Sequence, residues 1–204
     1  MIAIVDYGLG NIRAFANIFK NLGVPARIAR SADELAGAEK IILPGVGAFD
    51  HAMERLDASG MRATLDSLVV EQKRPVLGIC VGMQILASSS EEGKLAGLGW
   101  IPGAVRKIHF AESGAGAILP HMGWNGVQSS GGSPIMQELG QEPIFYFLHS
   151  FYFQCENPQH SVAEAEYGAR FTCAVQRDNV FGVQFHPEKS HRNGIQVLHN
   201  FSRL

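Results

Sequence analysis

Cysteine is scarce in this chain: Cys80, Cys155 and Cys173 are the three in 204 residues. So odd and sparse a set builds no disulfide framework and points to a reducing compartment, most simply the cytoplasm. Charge is sparse too, with 17 Lys and Arg against 19 Asp and Glu and a net charge of −2. No basic run offers a footprint for nucleic acid. No apolar run reaches the roughly 18–20 residues needed to cross a bilayer, so no membrane partner is expected. The opening Met1-Ile2-Ala3-Ile4-Val5-Asp6 has no basic stretch and no small-residue cleavage site, so it reads as a strand and not a signal peptide. With no internal repeat and no long linker, residues 1–204 are expected to form one domain with a large core.

The first half alternates short apolar runs with amphipathic stretches. Residues 2–5, 26–29, 41–43 and 76–79 read as buried strands, and 12–22, 49–56 and 62–72 carry helical spacing. This order predicts an α/β fold with a mainly parallel central sheet and helices on both faces. The second half adds strand signals at 104–108, 121–127, 144–153, 162–167, 171–176 and 180–185, an additional antiparallel β portion, with Asp178-Asn179 as a hairpin turn. Residues 193–204 read as a closing helix, and Gly114-Ala115-Gly116 and residues 129–133 as surface loops.

Two segments carry chemistry. In Pro75-Val76-Leu77-Gly78-Ile79-Cys80-Val81-Gly82-Met83-Gln84 an apolar strand runs into Gly-x-Cys-x-Gly, and helix-forming residues through Ala87 follow. This is the layout of a nucleophile elbow with Cys in the place of Ser. Glycines permit close backbone approach there, and a helix N-terminus favours a thiolate. The second segment is Phe181-Gly182-Val183-Gln184-Phe185-His186-Pro187-Glu188. A Cys nucleophile needs a base, and the base needs an acceptor that fixes its tautomer. His186 and Glu188 share a side if the chain is extended, and Pro187 favours extended geometry at His186. Cys80, His186 and Glu188 are therefore the candidate catalytic residues. His186 and His191 with Glu188 between them do not make a zinc-protease motif, because Pro187 breaks the helix it needs. No metal or other cofactor is expected, and Cys155 and Cys173 read as small apolar residues in strands.

Elbow, His-x-Glu and the order Cys, His, Glu together resemble the class I (triad) glutamine amidotransferase family, whose fold is flavodoxin-like. The segments Asp6-Tyr7-Gly8-Leu9-Gly10-Asn11, Leu43-Pro44-Gly45-Val46-Gly47-Ala48-Phe49, Pro120-His121-Met122-Gly123-Trp124-Asn125, Phe145-Tyr146-Phe147-Leu148-His149-Ser150 and His186-Pro187-Glu188-Lys189-Ser190 are similar to the branch formed by glutaminase subunits of imidazole glycerol phosphate synthase. The resemblance spans nearly the whole chain and implies hydrolysis of glutamine through a Cys80 thioester. It implies oxyanion donors at the Val81 amide and in the turn holding Val46 and Gly47. It places substrate contacts at Gln84, His149, Ser150 and Phe151. It also implies a separate (β/α)8-barrel cyclase as partner in a heterodimer, ammonia channelled between the subunits, and a place in histidine biosynthesis. Tyr7, Asn11, Trp124, Tyr146 and Lys189 resemble residues of that interface or its gate, although core packing for Trp124 and Tyr146 is an equal reading.

Some positions depart from the usual pattern of that branch: Leu119 before Pro120, Val81 after the nucleophile, and Ser190-His191 closing the last motif. These resemble a paralogue that supplies ammonia to an amidotransferase making amidino sugars of surface polysaccharides. Two further alternatives stay open from sequence. One is a stand-alone cysteine hydrolase acting on γ-glutamyl compounds, and the other a catalytically silent binding module.

Overall fold

The computed structural model describes residues 1–110 and 118–204. The expected Gly114-Ala115-Gly116 loop lies outside the described residues. In chain order the strands are β1 (Ile2–Val5), β2 (Ala26–Ala29), β3 (Lys40–Gly45), β4 (Val76–Cys80), β5 (Ser89–Ser90), β6 (Gly103–Lys107), β7 (His121–Gly126), β8 (Gln128–Ser129), β9 (Ile144–His149), β10 (Phe151–Cys155), β11 (Ser161–Glu166), β12 (Arg170–Arg177) and β13 (Val180–Val183). The α-helices are α1 (Ile12–Asn21), α2 (Ala32–Leu35), α3 (Phe49–Ala58), α4 (Arg62–Asp66), α5 (Val81–Gln84) and α6 (His191–Ser202). Among the described residues, no helix is long and apolar enough to cross a membrane.

Eight strands form the main sheet in the order β2-β1-β3-β4-β13-β12-β11-β8. Strands β2 through β13 run parallel, and β12, β11 and β8 continue the sheet antiparallel. A strand covered on both faces must be apolar throughout, and all five residues of β4 are buried. From β1 the chain steps one way to β2 and then the other way to β3 and β4. Right-handed crossovers therefore put α1 on one face and α2 to α4 on the other. The apolar stripe of α1, Ile12, Phe15 and Phe19, is buried accordingly. Smaller sheets, β10-β6-β5 and β7-β9, complete the fold.

Four local expectations are corrected. Residues 144–153 are not one strand. β9 pairs with β7 and β10 with β6, and the chain changes partners at Ser150. Both halves are rich in aromatics, so propensity does not reveal the break. The 62–72 helix ends at Asp66 and continues as a π-helical turn, Ser67–Glu71, which apolar spacing does not separate from an α-turn. Gln128–Ser129 forms a short edge strand against β11, reaching into the expected 129–133 loop. The elbow helix stops after one turn, at Gln84. The carbonyls of Ile85, Leu86 and Ala87 instead accept from the amides of Leu98, Ile101 and Gly99. The predicted hairpin turn at Asp178-Asn179 does join β12 to β13.

Candidate active site

Register places the key residues on one edge of the sheet. Gly45 pairs with Cys80 across β3 and β4, and Val183 pairs with Ile79 across β13 and β4. The carboxyl ends of three neighbouring parallel strands thus deliver the Gly45-Val46-Gly47 turn, Cys80 and the segment leading to His186. Sites in open α/β sheets lie there. Cys80 has φ 56 and ψ −115, which a side-chain-bearing residue rarely adopts. The glycine after it allows the sharp turn: a Cβ on Gly82 would lie 1.9 Å from the Leu43 carbonyl oxygen. With a helix of one turn, the dipole available to the sulfur is smaller than a full helix would supply.

His186 and Glu188 meet by a different route from the one expected. After an extended His186 (φ −99, ψ 96) the chain enters a 3₁₀ turn over Pro187–Lys189, not a strand. The turn brings Glu188 Oε1 to 3.0 Å from His186 Nδ1 with both side chains buried. Glu188 Oε2 has no hydrogen-bond partner among the described residues. Ser190 braces the turn: its hydroxyl donates to the His186 carbonyl (2.6 Å) and accepts from the Tyr146 amide (3.0 Å). Burial pulls the His186 imidazole down, but hydrogen bonds to Cys80 and Glu188 and the negative charge of both raise it further, to about 10. The protonated imidazolium is therefore the favoured state of His186 at neutral pH. Tyr7 is pushed upward by burial and by the adjacent Cys80 charge.

A cavity of about 320 Å³ opens on the sulfur. It gathers Cys80, Val81, Val46, Gly47, Gln84, the 149–151 segment, His186 and Lys189. Of the expected interface residues, Tyr7 is a correction. Its ring is buried, and its hydroxyl donates to the Pro44 carbonyl (2.7 Å), bracing the turn from below. Asn11 is exposed. Trp124 is 47 % exposed and stacks on His191 at 5.2 Å, so it is not core. Its edge meets Tyr146, over which Lys189 Nζ sits at 5.5 Å. The registers Met122–Leu148 and Trp124–Tyr146 place these four on one face of the β7-β9 ribbon, where Met122, Trp124 and Leu148 form an exposed apolar surface.

Sequence reasoning missed a buried polar network behind the cavity. Gln84 Nε2 donates to the Phe151 carbonyl (3.1 Å) and to Gln184 Oε1 (3.0 Å), and Gln184 Nε2 faces Cys80 Sγ at 3.8 Å. The same carbonyl accepts from His149 Nδ1 (2.8 Å). His149 Nε2 must then accept from His121 Nδ1 (3.0 Å), and His121 Nε2 from Asn125 Nδ2 (3.3 Å). Burial lowers His121 to about 4. It also lowers His149, to about 3, the Phe151 bond opposing and the His121 and His186 charges adding to the shift. Both imidazoles are therefore neutral in the folded chain at neutral pH. A polar residue placed among apolar ones in the middle of a motif, as at 184, is the only signal the sequence offered.

Residues 3–203 match the family described as glutamine amidotransferase class-I, and the chain belongs to that family. Within it, the chain is 61% identical over 204 residues to the imidazole glycerol phosphate synthase subunit HisH of Bdellovibrio bacteriovorus, with 100% of each chain covered. It is 53% identical to the subunit of that name from Leptospira interrogans, again with 100% of each covered. Among solved structures, a glutamine amidotransferase matches with a TM-score of 0.75 at 18% identity, covering 100% of this chain and 99% of the other. A chain of PurLQS from Thermotoga maritima matches at 0.72 and 20%, covering 98% and 96%. These two likenesses show the fold.

Proposed function

We propose that the chain is the glutaminase subunit of an imidazole glycerol phosphate synthase and acts in histidine biosynthesis, as one domain spanning residues 1–204. The observation that carries the chemistry is the buried His186–Glu188 pair beside a sulfur held in an elbow. Cys80 thiolate attacks the side-chain amide carbon of glutamine. The oxyanion takes hydrogen bonds from the Val81 amide and from the turn holding Val46 and Gly47, a donor class worth about 10²–10³ in rate. His186, with Nδ1 committed to Glu188, gives its proton to the departing nitrogen, and ammonia leaves a glutamyl thioester. Water then attacks the thioester, His186 takes its proton, and glutamate departs as the thiolate re-forms. Ser150 and Phe151 border the bound glutamine.

The partner is a (β/α)8-barrel cyclase that receives the ammonia. The exposed Met122, Trp124 and Leu148 with the Lys189–Tyr146 pair beside the site suit a docking face better than a free-standing hydrolase. The relatives at 61% and 53% identity carry the name imidazole glycerol phosphate synthase subunit HisH. This favours the histidine-pathway acceptor over the polysaccharide paralogue. The test is glutamate release from glutamine by the chain alone, with the barrel from the same source, and with barrel plus phosphoribulosyl aminoimidazole substrate. Strong stimulation in the third condition is expected. Fast turnover by the chain alone would end the gated-subunit reading, and no response to that barrel or ligand would move the acceptor to a sugar precursor.

A further inference from the structure

Gln184 lies at the end of β13's apolar run and is fully buried, yet nothing in the reaction above uses it. Its orientation is dictated step by step. The Phe151 carbonyl is an acceptor only, so Gln84 must present its N–H₂ to it. The second N–H of that group then needs an acceptor, which is Gln184 Oε1. This turns the Gln184 N–H₂ towards Cys80 Sγ at 3.8 Å. The His149 N–H fills the other lone pair of the same carbonyl. Flipping either amide would set donor against donor or acceptor against acceptor inside the core, at a cost few buried groups sustain.

We propose that the Gln184 amide stabilises the Cys80 thiolate by donating to Sγ, with Gln84 as the positioning residue that holds it in that sense. The proposal rests on the reading of Cys80 as nucleophile. It also revises the role of Gln84: both N–H groups are spent inside the protein, and only its oxygen remains free to face glutamine. Gln184 is thus a donor to the anion besides His186, in place before glutamine binds and again when the thiolate re-forms as glutamate departs.

The test is the pH dependence of Cys80 alkylation by iodoacetamide, followed on the Cys80 peptide by mass spectrometry in the full chain. The variants are Gln184→Glu, which keeps the acceptor for Gln84 but turns a carboxyl oxygen to the sulfur, and Gln184→Met, which keeps the volume and removes the donor. The other groups facing the sulfur or its cavity are unchanged in both: His186 and Glu188 after β13, Tyr7 after β1, His149 from β9, Glu92 and Lys189. The alkylation midpoint is expected to rise by about one pH unit in Gln184→Glu and by less in Gln184→Met, a tenfold change per unit. In glutamate release, kcat is expected to fall about tenfold with KM changed less than about twofold. Superimposable alkylation profiles in folded variants would overturn the proposal, as would a loss confined to KM. If Gln184→Glu does not fold by circular dichroism, the Met variant decides. If Cys80 in the parent chain reacts no faster than Cys155 at any pH, the nucleophile reading itself fails.

Discussion

At the amino ends of β4 and β13 lies a cavity of about 390 Å³, and at their carboxyl ends lies the one of about 320 Å³. The larger is lined by Asp66, Trp100, Arg177 and Asn179, a promising set of polar groups. All of them are spent on the fold. Trp100 donates to Asp66, Arg177 to the Trp100 carbonyl, and Asn179 to the carbonyls of Val69 and Arg74. Backbone strain does not separate the two, since Lys73 and Asp178 line the larger cavity at positive φ as Cys80 does the smaller. The smaller alone has a base raised well above its ordinary value and, among the described residues, a buried carboxylate oxygen without a partner. Volume and polar lining do not separate a site from a crevice. Unspent polar capacity beside a perturbed base does.

The sharpest way to break this comparison is Cys80→Ala. Glutamine-dependent synthesis with the cyclase is expected to fall by about 10⁴-fold or more, while synthesis from added ammonia persists. Failure of ammonia to rescue would sink the division of labour between the subunits. Next come two glycines, one at each end. Gly82→Ala drives a Cβ into the Leu43 carbonyl and is expected to cost about 3 kcal/mol in urea unfolding. Gly99 lines the larger cavity with φ 66 and nothing within 4 Å of a Cβ, so Gly99→Ala should cost about 1 kcal/mol, from the backbone alone. Equal costs would show that the elbow is less tightly built than its geometry implies.

Acid supplies the third test. His121 and His149 titrate near 6.5 when unfolded and are held neutral when folded, so the unfolded chain binds more protons below that pH. Their contribution is complete above about 6.5 and is lost as pH falls towards about 4, by about 2 kcal/mol in urea midpoints converted to free energy. His186, raised in the fold, contributes fully below about 6.5, so it does not mask the trend; its share is lost as pH climbs towards about 10. His121→Asn should flatten the acid limb. The smallest effect belongs to the larger cavity: Asn179→Ala should cost about 1 kcal/mol of stability and leave glutamate release unchanged. Altered turnover there would mean the two ends are coupled.

The sequence made the parallel half legible because β1 and β4 are short, wholly buried apolar runs, and the partly buried edge strand β2 is short and apolar enough to read with them. It brought out Cys80, His186 and Glu188 because nucleophile, base and orienter must be of particular types at particular spacings. The path between them was not legible. Glu188 reaches His186 through a 3₁₀ turn, which period-2 reasoning on an extended chain does not anticipate. Tyr7 was placed at the interface by resemblance alone, and nothing local says that its hydroxyl finds a carbonyl 37 residues away. Gln84 and Gln184 were separated by 100 residues, so their mutual orientation exists only once the sheet has formed.

That last separation bears on how the protein is made. β13 occupies a slot between β4, which comes long before it in the chain, and β12, its immediate predecessor. Gln184 stands 104 residues after Cys80, and the base follows two residues later. Contacts so distant in sequence form late and slowly. During translation the sulfur therefore emerges well before either its base or its amide donor has been synthesised. Assembly of the reactive centre is postponed to the closing steps of folding, and a nascent or truncated chain lacking β13 carries a cysteine without the groups that would activate it.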